Sequence, residues 1–153
     1  MAHILIVDDD ELVAELAADA LLGAGHACGW VTSGEEALEL LKWRRPDLLL
    51  LDQDMPGMSG SAMLRQLRTS DKLYDLPVIM FTALNGSEDE EQAIYAGAQD
   101  YIRKPFDPKF LLLSVNQLLK KREGRDKHLN LLDVMERQSG MWREPEPAEK
   151  RVV

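Results

Sequence analysis

Short apolar runs recur along the chain, and most of them end at a polar or acidic residue. Each run holds three to five residues, which is too short for an amphipathic helix but suits a buried β-strand. The central run is leucine at every position, as expected of a strand that is covered on both faces of a parallel sheet. We predict strands at His3–Val7, Ala27–Val31, Leu48–Leu51, Val78–Phe81 and Asp100–Ile102.

Helical periodicity fills the intervals between these runs. Capping boxes at Ser33–Glu36 and Ser87–Glu90 begin two of the predicted helices, and Asp107 followed by Pro108 begins the last. Strand and helix alternate five times, which predicts a doubly wound, five-stranded parallel sheet with helices on both faces. In the first helix, Glu11–Leu22, we predict that Leu12, Val13, Leu16, Ala20 and Leu21 face the core. In the later helices the predicted core residues are Ala37, Leu38, Leu41, Met63, Leu64, Leu67, Ala93, Ile94, Ala96, Leu111, Leu112, Val115, Leu118 and Leu119.

Polar side chains stand at the carboxyl ends of the predicted strands: Asp8, Asp9, Asp52, Thr82 and Lys104. In a parallel sheet these ends share one edge, and that edge is where ligands bind in open α/β folds. Three neighbouring carboxylates need a counter-charge, which a hard divalent cation such as Mg²⁺ supplies through oxygen ligands. Lys104 and Thr82 are then placed to hold further anionic oxygens, such as those of a phosphoryl group.

Composition narrows the range of partners and compartments. The net charge of -9 argues against binding to nucleic acid or to an anionic membrane. The one cysteine, Cys28, excludes an intrachain disulfide bond and favours a reducing compartment. No apolar stretch approaches the roughly 20 residues that span a bilayer. We therefore expect a cytoplasmic protein with no membrane or nucleic-acid partner.

The last part of the chain differs in character from the rest. We predict a folded domain over 1–121 and an extension over 122–153. A short amphipathic helix is predicted at 126–138, with Leu129, Leu132 and Met135 on one face, and the charged, proline-containing end is predicted to be flexible.

Four segments at the strand ends together form a specific pattern: ILIVDD at 4–9, LLDQDMPG at 50–57, FTA at 81–83 and YIRKPF at 101–106. The combination, which spans residues 3–120, resembles the receiver domain of two-component response regulators, here of the stand-alone type. The resemblance implies a flavodoxin-like fold and a phosphorylation-dependent signalling switch, not an enzyme that turns over a substrate. Asp52 would accept the phosphoryl group from a histidine kinase, a histidine phosphotransfer protein or a small phosphodonor.

The resemblance also implies a role for each residue of the site. Asp9, Asp52 and the backbone carbonyl of Asp54 would bind Mg²⁺ directly, with Asp8 acting through water. Many relatives carry a neutral residue where this chain has Asp54, so its side chain adds negative charge beside the incoming phosphoryl group.

Further residues would contact the phosphoryl group or respond to it. Lys104 and Thr82 would bind the phosphoryl oxygens, and the small Ala83 would leave room beside them. Thr82 and Tyr101 would form the switch pair. The peptide bond between Lys104 and Pro105 is expected to be cis, which would aim the lysine back into the site.

For partners, the resemblance implies a kinase or phosphotransfer protein and a downstream protein target. We also expect a homodimer through the face formed by residues 87–119 together with the extension. Two other functions would use some of the same residues. One is a receiver-like docking module that works without phosphorylation, although the complete set of site residues argues against it. The other is a phosphatase of the haloacid-dehalogenase type, suggested by Asp52-Gln-Asp54, although Pro56 departs from that pattern.

Overall fold

The computed structural model describes residues 1–82 and 97–121 of the chain. Its strands form one parallel sheet in the order β2-β1-β3-β4-β5, with β3 paired on both sides. The strands are β1 His3–Val7, β2 Ala27–Val31, β3 Leu48–Asp52, β4 Val78–Thr82 and β5 Asp100–Arg103. The predicted fold class, a flavodoxin-like doubly wound parallel sheet, is confirmed.

The described helices are α1 Glu11–Gly23, α2 Gly34–Leu41, α3 Gly60–Arg68 and α4 over residues 108–121. Side-chain oxygens of Asp10, Ser33 and Ser59 accept hydrogen bonds from backbone N–H groups in the first turns of α1, α2 and α3. These bonds satisfy donors that a helix leaves unpaired at its start. The helix predicted to begin at Ser87 lies outside the described residues except for Gly97.

The helices cover the sheet from both sides, and successive residues of β3 point to opposite layers. Leu49 and Leu51 belong to the layer of α2 and α3, whereas Leu48 and Leu50 belong to the layer of α1 and α4. This two-sided burial explains the unbroken leucine run. The residues predicted to face the core from α2, α3 and α4 do so: Ala37, Leu38, Leu41, Met63, Leu64, Leu67, Leu111, Leu112, Val115, Leu118 and Leu119.

The predicted core face of α1 is wrong at two positions. Leu12 is 72% exposed and Leu16 is 60% exposed, whereas Ala14, Ala17 and Ala18 are buried beside Leu21. Two stripes overlap on this helix, and the alanine stripe faces the sheet because small side chains let the helix backbone lie close to it. Hydrophobicity alone favoured the leucine stripe, which is left on the surface.

The chain divides into two compact units, Met1–Leu119 and Lys120–Val153. The predicted boundary after residue 121 stays a prediction, and the predicted helix at 126–138 lies outside the described residues. Within 1–82 and 97–121, the helices are too short or too polar to cross a membrane.

Candidate functional site

Strand pairing brings the predicted polar residues to one edge of the sheet. Because β1 and β4 flank β3, their carboxyl ends stand on either side of Asp52. Thr82, the last residue of β4, pairs with Arg103 of β5. The backbone N–H of Lys104 donates to the carbonyl of Thr82 at 2.8 Å, which fixes the start of the loop after β5.

Three carboxylates meet at this edge. One oxygen from each of Asp8, Asp9 and Asp52 lies within 4.8 Å of the others. Asp8 is fully buried and Asp52 is 3% exposed, whereas Asp9 faces solvent. A set of three oxygen ligands, two of them shielded from water and one at the mouth, suits a hard divalent cation that keeps part of its water shell.

Lys104 places a positive charge between the two buried carboxylates. Its Nζ lies 2.7 Å from Oδ2 of Asp8 and 3.2 Å from Oδ1 of Asp52. One ammonium group cannot balance three carboxylates. The charge that remains favours a cation at the same place, so the residues present fit Mg²⁺.

The ionisation of Asp52 reflects this crowding. Burial, followed by the charge of Asp8, raises the pKa of Asp52 to about 7, although the charge of Lys104 acts in the opposite direction. Burial by itself lowers the pKa of Lys104, but its hydrogen bond to Asp8 and the nearby carboxylate charges outweigh burial and raise it. The site therefore holds a firmly charged lysine beside a carboxyl group that ionises near neutral pH.

The other predicted residues lie close to this group. Thr82 is 3% exposed at the end of β4. Tyr101, in the edge strand β5, is half-buried and packs on the α2/α3 side of the core. The Lys104–Pro105 bond is cis. Ala83 lies outside the described residues.

The loop after β3 is joined directly to the carboxyl group of Asp52. The backbone N–H of Asp54 donates to Oδ1 of Asp52 at 3.3 Å. At the other end of the loop, Gly60 packs against the backbone of Asp52, and a Cβ at position 60 would lie 2.2 Å from the carbonyl oxygen of Asp52. Only glycine allows α3 to begin this close to β3.

Gln53, directly after Asp52, makes contacts beside the site that the sequence did not reveal. Its side-chain Oε1 accepts hydrogen bonds from the backbone N–H of Ser61 at 2.9 Å and from the hydroxyl of Ser61 at 2.6 Å. Its carbonyl oxygen accepts a hydrogen bond from the N–H of Gly60 at 3.1 Å. A glutamine and a serine eight positions apart carry no recognisable pattern, so only the fold relates them.

Comparison with known proteins identifies the family. Residues 4–116 match the response regulator receiver domain. The chain belongs to this family. The recognised resemblance is confirmed, and the haloacid-dehalogenase alternative is set aside because the match covers the whole site.

Individual relatives support the same assignment. The chain is 38% identical over 118 residues to the phosphate regulon transcriptional regulatory protein PhoB of Pseudomonas aeruginosa, covering 77% of this chain and 52% of PhoB. It is 33% identical over 151 residues to the DNA-binding dual master transcriptional regulator RpaA of Synechocystis, covering 93% of this chain and 63% of RpaA. The solved receiver domain of a Francisella response regulator has a TM-score of 0.74 and 30% identity, covering 80% of this chain and 99% of that domain.

Membership has general consequences for this receiver domain. Receiver domains act as phosphorylation-dependent switches, bind Mg²⁺ through acidic residues and interact with histidine kinases. The chain spans only about half to two-thirds of the length of the two curated relatives. Transcriptional regulation and DNA binding are accordingly properties of those longer proteins.

Proposed function

We propose that this receiver domain is a signalling switch in which Asp52 accepts a phosphoryl group in the presence of Mg²⁺. The observation that carries the proposal is the buried cluster at the strand ends. There, Lys104 lies between Asp8 and Asp52, and Asp9 completes a set of three carboxylates. Asp9, Asp52 and the carbonyl of Asp54 would bind the metal directly, and Asp8 would act through water.

In the proposed reaction, a carboxylate oxygen of Asp52 attacks the phosphorus atom of the donor. With a phosphohistidine donor, an O–P bond forms as the N–P bond breaks, and the imidazole leaves with the bonding electrons. The transition state is loose and in line, so the protein mainly positions groups and neutralises charge. Bound Mg²⁺ would supply part of that neutralisation.

The remaining site residues would act on the transferred oxygens. The Nζ of Lys104 already lies within 3.2 Å of Asp52, so it can shift onto a phosphoryl oxygen while it stays close to Asp8. The hydroxyl of Thr82, at the end of the neighbouring strand, would donate to a second oxygen. Movement of Thr82 would then be transmitted to Tyr101, which lies in the adjacent strand β5.

The phosphodonor partner would dock beside the site. Asp10 directly follows Asp9 and caps α1, and that helix leaves Leu12 and Leu16 exposed one turn apart. Exposed leucines next to a reactive group suit a helical protein partner, such as the histidine-bearing part of a kinase. Replacing both leucines with serine should slow transfer from the kinase and leave transfer from acetyl phosphate unchanged.

Output would pass through protein contacts on a second surface, formed by α4 and the neighbouring strand β5. In the described part of the predicted 87–119 face, Phe110 and Leu113 are about half exposed. A groove of about 390 Å³ runs beside β5 and is partly lined by Tyr101 and Phe106. We expect homodimerisation or target binding here. Light scattering of the phosphorylated protein, with and without the residues after Glu123, tests the dimer.

The central experiment is phosphorylation by acetyl phosphate with Mg²⁺. Mass spectrometry should detect one added phosphoryl group on the wild type and none on Asp52→Asn. Labelling that survives in the variant would contradict the assignment of Asp52. A docking module that works without phosphorylation would bind its target equally well before and after the treatment.

A further inference from the structure

Gln53 links the acceptor strand to the start of α3 through several bonds at once. Its carbonyl accepts a bond from Gly60, and its side-chain oxygen accepts two bonds from Ser61, at 2.9 and 2.6 Å. Its own backbone N–H donates to the carbonyl of Phe81 in β4 at 2.9 Å. The residue that follows Asp52 is thus bound both to the neighbouring strand and to the helix.

These bonds close the segment 54–59 into a loop with fixed ends. Asp52 and Gln53 form one end, and the buried residues Gly60 and Ser61 form the other. The segment contains Asp54, whose N–H donates to the carboxyl group of Asp52. Loss of the Gln53–Ser61 contact would therefore let this loop move and would change the position of Asp54 relative to the carboxyl group of Asp52.

Helix capping alone does not account for Gln53. The hydroxyl of Ser59 already caps α3 by accepting a hydrogen bond from the N–H of Ala62 at 3.2 Å. Gln53 reaches the same helix from the end of β3, and holding a long glutamine side chain in one conformation costs entropy. Its bonds add a connection between strand and helix that the Ser59 cap does not make.

We infer that Gln53 is a positioning residue for the cation and phosphoryl site, an inference that rests on the proposed function of Asp52. Through Ser61, it fixes one end of the 54–59 loop, which contains Asp54, the residue whose carbonyl is the proposed metal ligand. Partners that orient metal ligands commonly change metal affinity by 10- to 100-fold when they are removed. Loss of the Gln53 bonds should therefore weaken Mg²⁺ binding more than the stability change alone would explain.

The test compares Gln53→Met, Ser61→Ala and the matched control Ser59→Ala. The control removes a side-chain cap from the same helix end but leaves Gln53 in place. By calorimetric titration, Gln53→Met should bind Mg²⁺ about tenfold more weakly than the wild type, and Ser61→Ala should show a smaller loss. Ser59→Ala should stay within about twofold. Urea denaturation provides the stability of each variant.

A double variant and a rate measurement separate positioning from general loosening. In the Gln53→Met background, Ser61→Ala should change Mg²⁺ affinity little further, because the bond it removes is already gone. The acetyl phosphate reaction of Gln53→Met should require more Mg²⁺ for half-maximal rate and approach the wild-type rate at saturation.

Three outcomes overturn the inference. Equal Mg²⁺ affinity in Gln53→Met and the wild type would show that the contact does not position the site. An equal loss in Ser59→Ala and Gln53→Met would assign the effect to helix stability. A wild-type chain that binds no Mg²⁺ would contradict the proposed function as well, whereas phosphorylation of the wild type together with unaffected variants would contradict only the role of Gln53.

Discussion

The two ends of the sheet each hold a cationic side chain partly shielded from water, and they surround it differently. At the carboxyl ends of the strands, Lys104 bonds to the charged oxygens of Asp8 and Asp52. At the amino ends, Arg68 of α3 donates mainly to backbone carbonyls. Its acceptors are the carbonyl oxygens of Leu73, Tyr74, Leu76 and Gly97 and the side-chain oxygen of Gln99.

The two environments act differently on their cations. The pKa of Lys104 is raised because its bonded carboxylates outweigh burial, whereas burial lowers the pKa of Arg68, with Asp75 opposing the change. Carboxylates respond to protons, metals and phosphoryl groups, but backbone carbonyls do not titrate. We therefore expect the Lys104 end to serve the proposed phosphotransfer and the Arg68 end to serve stability.

Replacing Lys104 with methionine should have the largest effect. The variant removes the side-chain cation that can bind the developing phosphoryl charge, and loss of one such group costs about 10²- to 10³-fold in rate. Phosphorylation of Asp52 by acetyl phosphate should fall by that order, while Mg²⁺ should bind more tightly because the negative charge is less balanced. A phosphorylation rate within threefold of the wild type, measured by mass spectrometry over time, would show that Lys104 does not take part in the transfer.

Replacing Arg68 with methionine should act on stability instead. Several carbonyl groups would lose their donor at once, and each unsatisfied buried group costs about 1–3 kcal/mol, so we expect a loss of about 3 kcal/mol in the free energy of unfolding. Arg65→Met is the matched control on the exposed side of the same helix and should cost less than about 0.5 kcal/mol. Urea denaturation measures both variants, and a near-neutral Arg68→Met would end the comparison.

The stability of the metal-free protein should depend on the ionisation of Asp52. The pKa of Asp52 is raised from 3.8 to about 7 in the folded chain, so its contribution to stability falls as pH rises from about 4 to 7 and then levels off. Asp52→Asn lacks this ionisation. The variant should therefore be more stable than the wild type. The difference in the free energy of unfolding should grow as the pH rises from 5 and should reach about 2 kcal/mol above pH 7.

Urea denaturation in the presence of a chelator, at steps from pH 5 to pH 8, measures this difference. Added Mg²⁺ should restore the stability of the wild type above pH 7, because the cation binds the ionised carboxylate of Asp52. A difference between the two proteins that does not change with pH would show that Asp52 ionises as it does in the unfolded chain.

Asp54 offers the smallest test. Its exposed side chain should contribute only a screened charge to the site, so Asp54→Asn should weaken Mg²⁺ binding by a few-fold, or about 1 kcal/mol. Its backbone carbonyl, the proposed ligand, is unchanged by the substitution. Identical titration curves for the two proteins would restrict the role of residue 54 to its backbone.

The sequence predicted the Lys104 end of the sheet but not the Arg68 end. The Lys104 end consists of side chains that the sequence shows directly: acids, a hydroxyl and a lysine follow apolar runs whose carboxyl ends must meet. The partners of Arg68 are mostly backbone carbonyls, which every residue carries, so no residue pattern marks them. The contact between Gln53 and Ser61 was missed for a related reason, because it depends on how α3 begins against β3.

The α1 helix shows a second limit. Its leucines and alanines form two stripes, and hydrophobicity ranks Leu12 and Leu16 above Ala14 and Ala17. The distance between helix and sheet decides which stripe is buried, and that distance depends on the whole layer. Strand positions were easier to predict, because every residue of a strand covered on both faces is buried, and the buried face does not have to be identified.

The pairing of β3 on both sides has a consequence for the exchange of backbone amide hydrogens with solvent. All five residues of β3 are buried between β1 and β4, so we expect their amides to exchange only when the whole domain opens. Among the described strands, β5 pairs with β4 alone, so its amides should exchange through smaller local openings. Phosphorylation of Asp52, the last residue of β3, should then be detected as a change in amide protection at the carboxyl end of this slowly exchanging strand.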